Sequence, residues 1–177
     1  MFAQIASFLV DTVVTFFVFL LLLRFHFQWL RVPFRNPFGE FVLQITSWMV
    51  MPVRRVVPGL AGLDLATLLL AWILQALGLW IQAQIRGVDP SVVGLVLIAF
   101  VDLVRYSLYI LVAAVIIQVV LSWINPYTPV APVLDAMTRP FLRPLRRFVP
   151  PMGNVDLTPL VLVILIQVVL IVLWNVR

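Results

Sequence analysis

The chain has 177 residues, 64% of them hydrophobic, and a net charge of +5. That composition excludes an ordinary water-soluble domain and is typical of a chain that crosses a membrane. Cysteine is absent, which excludes disulfides, thiolate metal sites and thiol catalysis by this chain. The basic residues are all arginine, whose planar guanidinium suits bidentate contact with phosphate.

The first hydrophobic run, Met1 to Leu23, contains Asp11 as its one charged residue. The run is long enough to span a membrane, and it lacks the basic segment and the cleavage site of a signal peptide. We therefore expect it to remain as an anchor. Its helix should continue to about Arg31, so that Trp29 lies in the aromatic belt of the membrane interface.

An arginine-rich stretch, the first connector, follows this run. Apolar residues recur every three or four positions over residues 38–52, which predicts an amphipathic helix lying in the plane of the membrane surface. Arg54 and Arg55 come next and would lie among anionic headgroups. Pro58 and Asp64 then lead into the next apolar run.

Two further spans are predicted before the second connector. Residues 65–85 are uncharged, and residues 91–124 carry only Asp102 and Arg105. A helix over residues 91–124 would measure roughly 50 Å, against about 30 Å for the hydrocarbon core. We expect it to extend into the interface, with Trp123 in the aromatic belt.

The second connector is also amphipathic, and its polar side is rich in arginine: Arg139, Arg143, Arg146 and Arg147. Pro140 and Pro144 interrupt this segment, so we predict two short helical pieces instead of one helix. A last uncharged run over residues 157–176 predicts a fourth span.

The two connectors match without gaps at an offset of 92 residues, which indicates an internal duplication. The matched residues are Pro52, Arg54, Arg55, Pro58 and Asp64 in the first copy and Pro144, Arg146, Arg147, Pro150 and Asp156 in the second. We therefore predict two repeats, 1–87 and 88–177, each with a span, an arginine-rich connector and a second span.

The predicted fold is all-α, with four spans arranged as two repeats of parallel topology. Each repeat should carry a kinked amphipathic helix in the membrane interface between its two spans. Each repeat contains an even number of spans, so both copies point the same way across the membrane. Most arginines lie in the connectors, and the positive-inside rule places the connectors in the cytoplasm. Both termini would then be periplasmic, in the inner membrane of a bacterium.

Two roles remain open for Asp64 and Asp156. Each stands at the start of an apolar run, where its carboxylate could cap the helix N-terminus. Each could instead pair with its own arginine pair and hold the connector against the span. In the second copy, Thr158 is a competing cap residue, followed by Pro159 in the first helical position.

Three ionisable residues within the spans form a candidate polar site, because intramembrane charge is costly and often functional. Asp102 and Arg105 are three positions apart and could form a local pair. Asp11 could also reach Arg105, giving a shared buried site suited to an ion or proton pathway. Alternatively, all three side chains lie near the outer headgroups.

Other chemistry has no support in the sequence. His26 is the one histidine and could not build a metal site or ligate haem from both sides. Phosphate loops, nucleophile elbows and dinucleotide turns are absent from the sequence. We expect no enzyme activity, no cofactor and no metal. Apolar residues interspersed with the arginines favour lipid headgroups over nucleic acid.

The doubled pattern P-x-R-R-x-V-P-x-x-x-x-(L/V)-D-L, with Asn-Pro upstream, resembles the YggT/YlmG family of small bacterial and plastid membrane proteins. The resemblance covers essentially the whole chain, and the duplication matches the longer, proteobacterial type of member. The first copy departs by having Gly59 and Gly62 where the second has Pro151 and Asn154. The resemblance implies no defined reaction. It implies roles in envelope and division-site organisation, in osmotic tolerance with ion uptake, or in cytochrome assembly.

Two functions are consistent with these patterns. In the first, the chain is a non-enzymatic membrane scaffold or assembly factor whose connectors bind anionic lipid and a membrane-protein partner. In the second, it is a small ion channel or transporter, with Asp11, Asp102 and Arg105 lining the path. A channel of four spans per chain would require a homo-oligomer.

Overall fold

The computed structural model describes residues 1–32, 34, 36–59, 62–125, 127–149 and 156–175. These residues form six α-helices. In chain order the helices are α1 (Phe2–Trp29), α2 (Pro37–Val56), α3 (Leu65–Ile85), α4 (Val92–Ile124), α5 (Ala131–Leu145) and α6 (Thr158–Trp174). Pro150 of the repeat motif lies outside the described residues. The all-helical expectation is confirmed for the described part of the chain.

Three of the helices, α1, α3 and α4, are long and apolar enough to cross a membrane. They contain 28, 21 and 33 residues, so α1 and α4 exceed the roughly 20 residues that a span requires. Helix α6 is equally apolar but has 17 residues. Its length is at the lower limit for a membrane span.

Helices α1 and α3 pack closely because a small residue lies at their contact. A Cβ on Gly78 would lie 2.7 Å from a methyl group of Val14, so glycine permits this approach. Nearer the start of α1, the Gln82 amide donates to the Ser7 carbonyl at 2.7 Å. The two helices therefore form one unit, held by apolar packing and by a hydrogen bond near one end.

The main apolar core extends from α1 to α5 and includes Val18, Val50, Ala71, Leu103 and Met137. A second cluster joins α4 to α5 and α6; its buried members are Val115, Leu142, Leu162, Ile166 and Leu170. Helices α4 and α5 therefore belong to both clusters. Through the main core, both helices pack against the first half of the chain.

The connectors contain amphipathic helices, as their periodicity predicts. Helix α2 buries Val42 and Val50 but exposes Trp48 and Met51. Asn36 caps this helix by accepting a hydrogen bond from the Gly39 amide at 2.9 Å.

Helix α5 continues from Ala131 to Leu145 as one element, so the prediction of two short pieces is wrong, whereas the kink stays a prediction. Pro140 and Pro144 are spaced by one helical turn, and both are exposed. The carbonyls left without a donor therefore lie on the outer side of the helix. There they can be hydrated, and the interruption costs less than it would in the core.

Candidate lipid-binding surface and buried polar cluster

The first arginine pair is tied to the start of α3 through Asp64. Arg54 forms an ion pair with the Asp64 carboxylate, which is almost fully buried. The same carboxylate caps α3: it accepts from the Thr67 amide at 3.3 Å and from the Thr67 hydroxyl at 2.6 Å. Asp64 therefore both caps the helix and pairs with the connector.

The second half repeats the contact. Arg146 approaches Asp156 Oδ2 at 3.1 Å, through both Nε and a terminal nitrogen. Asp156 Oδ1 accepts from the Thr158 amide at 2.9 Å. The N-cap residue of α6 is Leu157, and Thr158 is the first helical residue instead of the cap. Both halves thus contain an arginine–aspartate pair across ten residues, which we call the clamp.

The two clamps differ in exposure. The Asp64 side chain is 1% exposed, whereas that of Asp156 is 40% exposed. Burial alone would raise the pKa of each carboxyl group. Contacts with Thr67 and Arg54 outweigh burial at Asp64 and lower its pKa, and contacts with Thr158 and Arg146 lower the pKa of Asp156. Each carboxylate is thus held in its charged form.

A buried threonine in each connector helix adds a second matched contact. Thr46 and Thr138, also 92 residues apart, are both fully buried and each donates to the carbonyl four residues earlier. Arg24 of α1 donates to the Thr46 hydroxyl at 2.9 Å. The Thr138 hydroxyl lies 2.5 Å from Gln118 Oε1 of α4, so its one proton is shared between this oxygen and the Leu134 carbonyl. Each connector helix is therefore hydrogen-bonded to the long helix that precedes it.

Four further connector arginines are exposed: Arg55, Arg139, Arg143 and Arg147. Arg139 pairs with Asp135 on the same helix. No described carboxylate pairs with Arg55, Arg143 or Arg147. Their charges are therefore available to an external anion.

The intramembrane candidates Asp102 and Arg105 form a local pair, with 3.2 Å between Asp102 Oδ1 and Arg105 Nη1. Both residues are buried, at 2% and 5% exposure. Gln75 of α3 donates to the second Asp102 oxygen at 2.9 Å, and the Arg105 guanidinium lies 4.6 Å from the Trp174 ring centroid of α6. This polar cluster connects α3, α4 and α6.

Asp11 does not join that pair. Its side chain is exposed and lines a separate cavity of about 580 Å³. Gln82 and Arg86 of α3 line the same cavity, at the end of the helices where α1 and α4 begin. The structure thus separates the three candidates into a buried pair, Asp102 and Arg105, and an exposed carboxylate, Asp11. We call the cavity that Asp11 lines, at the end where α1 and α4 begin, the outer cavity.

Several contacts were not assigned from the sequence alone. The offset of 92 residues also matches Thr46 with Thr138, a signal that could have marked both as buried anchors. Nothing comparable distinguishes Arg24 from the other connector arginines, although it is buried. His26 is buried as well, with Nδ1–H donating to the Leu22 carbonyl at 2.6 Å. Among the described residues, no group of three or more His, Asp or Glu side chains could hold a metal ion.

Three long apolar helices, with amphipathic helices that carry arginines clamped to them, are typical of a helical membrane protein. The family model for CCB3/YggT matches the chain twice, over residues 3–85 and 86–177. The chain therefore belongs to the CCB3/YggT family.

Individual relatives agree with this assignment. The chain is 33% identical to an uncharacterized protein of Escherichia coli K12, YggT, over 92% of its own length and 86% of the relative. It is 31% identical to an uncharacterized protein of Pseudomonas aeruginosa, over 88% of this chain and 81% of that one. No solved structure matches the chain significantly.

Proposed function

We propose that the chain is a non-enzymatic scaffold or assembly factor of the bacterial inner membrane, associated with the cell envelope and division. The observation that carries this proposal is the repeated clamp, Arg54–Asp64 and Arg146–Asp156. Each clamp joins the end of an amphipathic helix to the start of the next apolar helix. A fixed basic surface suits docking on anionic lipid and on a membrane-protein partner.

The proposed topology has four spans as two parallel repeats, with α6 as the fourth. Two separate matches to one family model support the duplication. The excess of arginine in the connectors supports a cytoplasmic location for α2 and α5 and periplasmic termini. In that arrangement the exposed Trp48 and Met51 enter the acyl boundary, and Arg55, Arg143 and Arg147 contact headgroups.

The interior favours a scaffold over a conduit. The outer cavity at Asp11 and the arginine-rich surface at Arg31 lie at opposite ends of α1. The fully buried apolar residues Val18, Leu21 and Leu22 lie between them along α1. Gln75 donates to Asp102, and Arg105 lies over the Trp174 ring. The buried pair therefore joins three helices and is not open to a passing ion.

A small ion channel or transporter for osmotic or potassium homeostasis is the second candidate. The observation that favours it is the exposed Asp11 carboxylate in an outer cavity shared by α1, α3 and α4. An acidic group at such a mouth attracts cations. Under this function, neutralising Asp11 and Asp102 would affect activity more than removing connector arginines.

Lipid docking can be tested with a single-cysteine probe, because the chain contains no cysteine of its own. A fluorophore at Trp48→Cys in reconstituted vesicles is quenched by brominated acyl chains if α2 lies in the interface. We expect quenching to increase with the fraction of anionic lipid, and the variant Arg55→Gln/Arg143→Gln/Arg147→Gln to lose that dependence. A probe that is unquenched in every vesicle would contradict lipid docking.

Topology is tested with the same approach. A membrane-impermeant thiol reagent should label Arg55→Cys in inside-out vesicles but not in spheroplasts. Gly87→Cys, in the turn between the two halves, should show the opposite pattern. Labelling of both positions from the same side would exclude the proposed arrangement.

A further inference from the structure

A cavity of about 700 Å³ lies where the end of α1 meets the outer face of α5. Four arginines line it, one from the first half of the chain and three from the second: Arg31, Arg139, Arg143 and Arg147. Leu30 and Pro140 contribute apolar surface. The cavity therefore combines several guanidinium groups with an apolar wall.

The charge of this cavity is mostly uncompensated. Arg139 pairs with Asp135, but no described carboxylate pairs with Arg31, Arg143 or Arg147. Guanidinium groups bind phosphate through paired N–H donors. One phosphodiester carries a single negative charge and would leave most of this positive charge unbalanced, whereas two linked phosphates would come close to neutralising it.

The backbone at Arg31 supplies an independent observation. Arg31 is the one non-glycine residue with positive φ, 53°, among those the structure describes. It occupies the left-handed position that ends α1, where the Val32 amide donates to the Phe27 carbonyl at 2.8 Å and the Arg31 amide donates to Gln28 at 3.2 Å. Glycine is the residue that fits this position without strain, so an arginine here indicates a use for its side chain.

The residues that line this cavity are mostly unmatched in the first half. At the offset of 92 residues, Arg139, Pro140 and Arg143 correspond to Ser47, Trp48 and Met51. Only Arg147 has a basic counterpart, Arg55. Helix α2 therefore presents an aromatic and apolar surface where α5 presents arginines.

We propose that this cavity binds a headgroup carrying two linked phosphates, one per chain, with a diphosphatidyl phospholipid as the membrane ligand. The proposal rests on the cytoplasmic surface placement of α5 in the proposed function. It goes further by naming one site, its four arginines and its ligand chemistry. A general attraction to anionic lipid would depend on total charge, whereas this site depends on particular residues.

The test uses the full-length protein in neutral-detergent mixed micelles with fluorescent cardiolipin. Unlabelled cardiolipin, phosphatidylglycerol and sodium diphosphate compete at equal phosphate concentration. We expect one site per chain and competition by cardiolipin about tenfold stronger than by phosphatidylglycerol, the effect of one added charge-assisted contact. Equal competition by diphosphate and cardiolipin would retain the two-phosphate site and assign it to a soluble anion.

The variants separate binding from folding. Arg31→Gly removes one guanidinium group from the cavity and should weaken cardiolipin binding about tenfold. The same change relieves the backbone strain of a positive φ at the end of α1, so the melting temperature should stay unchanged or rise. Arg147→Gln should weaken binding similarly. Arg86→Gln removes the same charge from an exposed arginine at the opposite end of the helices, and should leave binding within about twofold. Equal loss in Arg86→Gln and Arg147→Gln, with no preference for cardiolipin, would overturn the site. The Trp48→Cys probe reports lipid docking separately, so failure of the site leaves that result readable.

Discussion

The two clamps should contribute unequally to stability, because only the first has a buried carboxylate. Asp64→Ala removes the α3 cap, worth about 1 kcal/mol, and charge-assisted hydrogen bonds worth about 1.5–3 kcal/mol. Asp156→Ala removes a pair with 40% of the aspartate side chain exposed, worth about 0.2–1 kcal/mol, and one backbone hydrogen bond worth about 1 kcal/mol. We expect losses of about 3 and about 1.5 kcal/mol in the free energy of unfolding.

The assay is unfolding in mixed detergent micelles, followed by helicity and tryptophan fluorescence. Double-mutant cycles of Arg54→Ala with Asp64→Ala, and of Arg146→Ala with Asp156→Ala, isolate each pairing energy from the capping contribution. We expect a coupling above about 1 kcal/mol in the first cycle and below it in the second. Equal losses for the two aspartates, or the larger coupling in the second cycle, would refute the assignment of the first clamp as the buried anchor.

Three further perturbations test other parts of the structure. The pKa of Asp64 is lower in the folded protein than in the unfolded chain, where it is about 3.9, so its carboxylate stabilises the fold above that pH. This stabilisation is lost as the pH falls through the folded-state pKa. The melting temperature should therefore decrease at pH values below about 4, and it should decrease less in Asp64→Asn. Gly78→Leu should cost about 1–3 kcal/mol by separating α1 from α3, whereas enlargement at the exposed neighbour, Leu77→Phe, should leave melting unchanged. Asp102→Asn should cost about 3–5 kcal/mol by leaving Arg105 buried without a counter-ion, and adding Arg105→Gln should recover part of that loss.

The amphipathic connectors could be predicted because their periodicity and their duplication are local properties of the sequence. The offset of 92 residues pairs Arg54 with Arg146 and Asp64 with Asp156, and the structure gives both pairs the same contact. The sequence left capping and pairing as alternatives. A buried carboxylate with two oxygens can do both, and Asp64 does.

Other features depend on tertiary packing and could not be predicted. In the sequence, Pro140 and Pro144 indicate breaks in the helix. In the structure both prolines lie on the exposed side of α5, which is one continuous helix. Asp11 and Asp102 fall at similar places in the two repeats, yet one is exposed and the other is buried against Gln75. The cavity at Arg31 joins residues more than 100 positions apart, and its Arg139 and Arg143 have no basic counterparts at the offset of 92 residues.

A membrane scaffold with a packed interior should not conduct ions. Potassium flux is measured from liposomes reconstituted with the wild-type protein and with Asp11→Asn/Asp102→Asn, with valinomycin to verify the gradient. We predict that both proteins leave flux at the level of protein-free liposomes. Flux through the wild-type protein would contradict the scaffold, and loss of that flux in Asp11→Asn alone, whose side chain is exposed, would establish transport past this carboxylate.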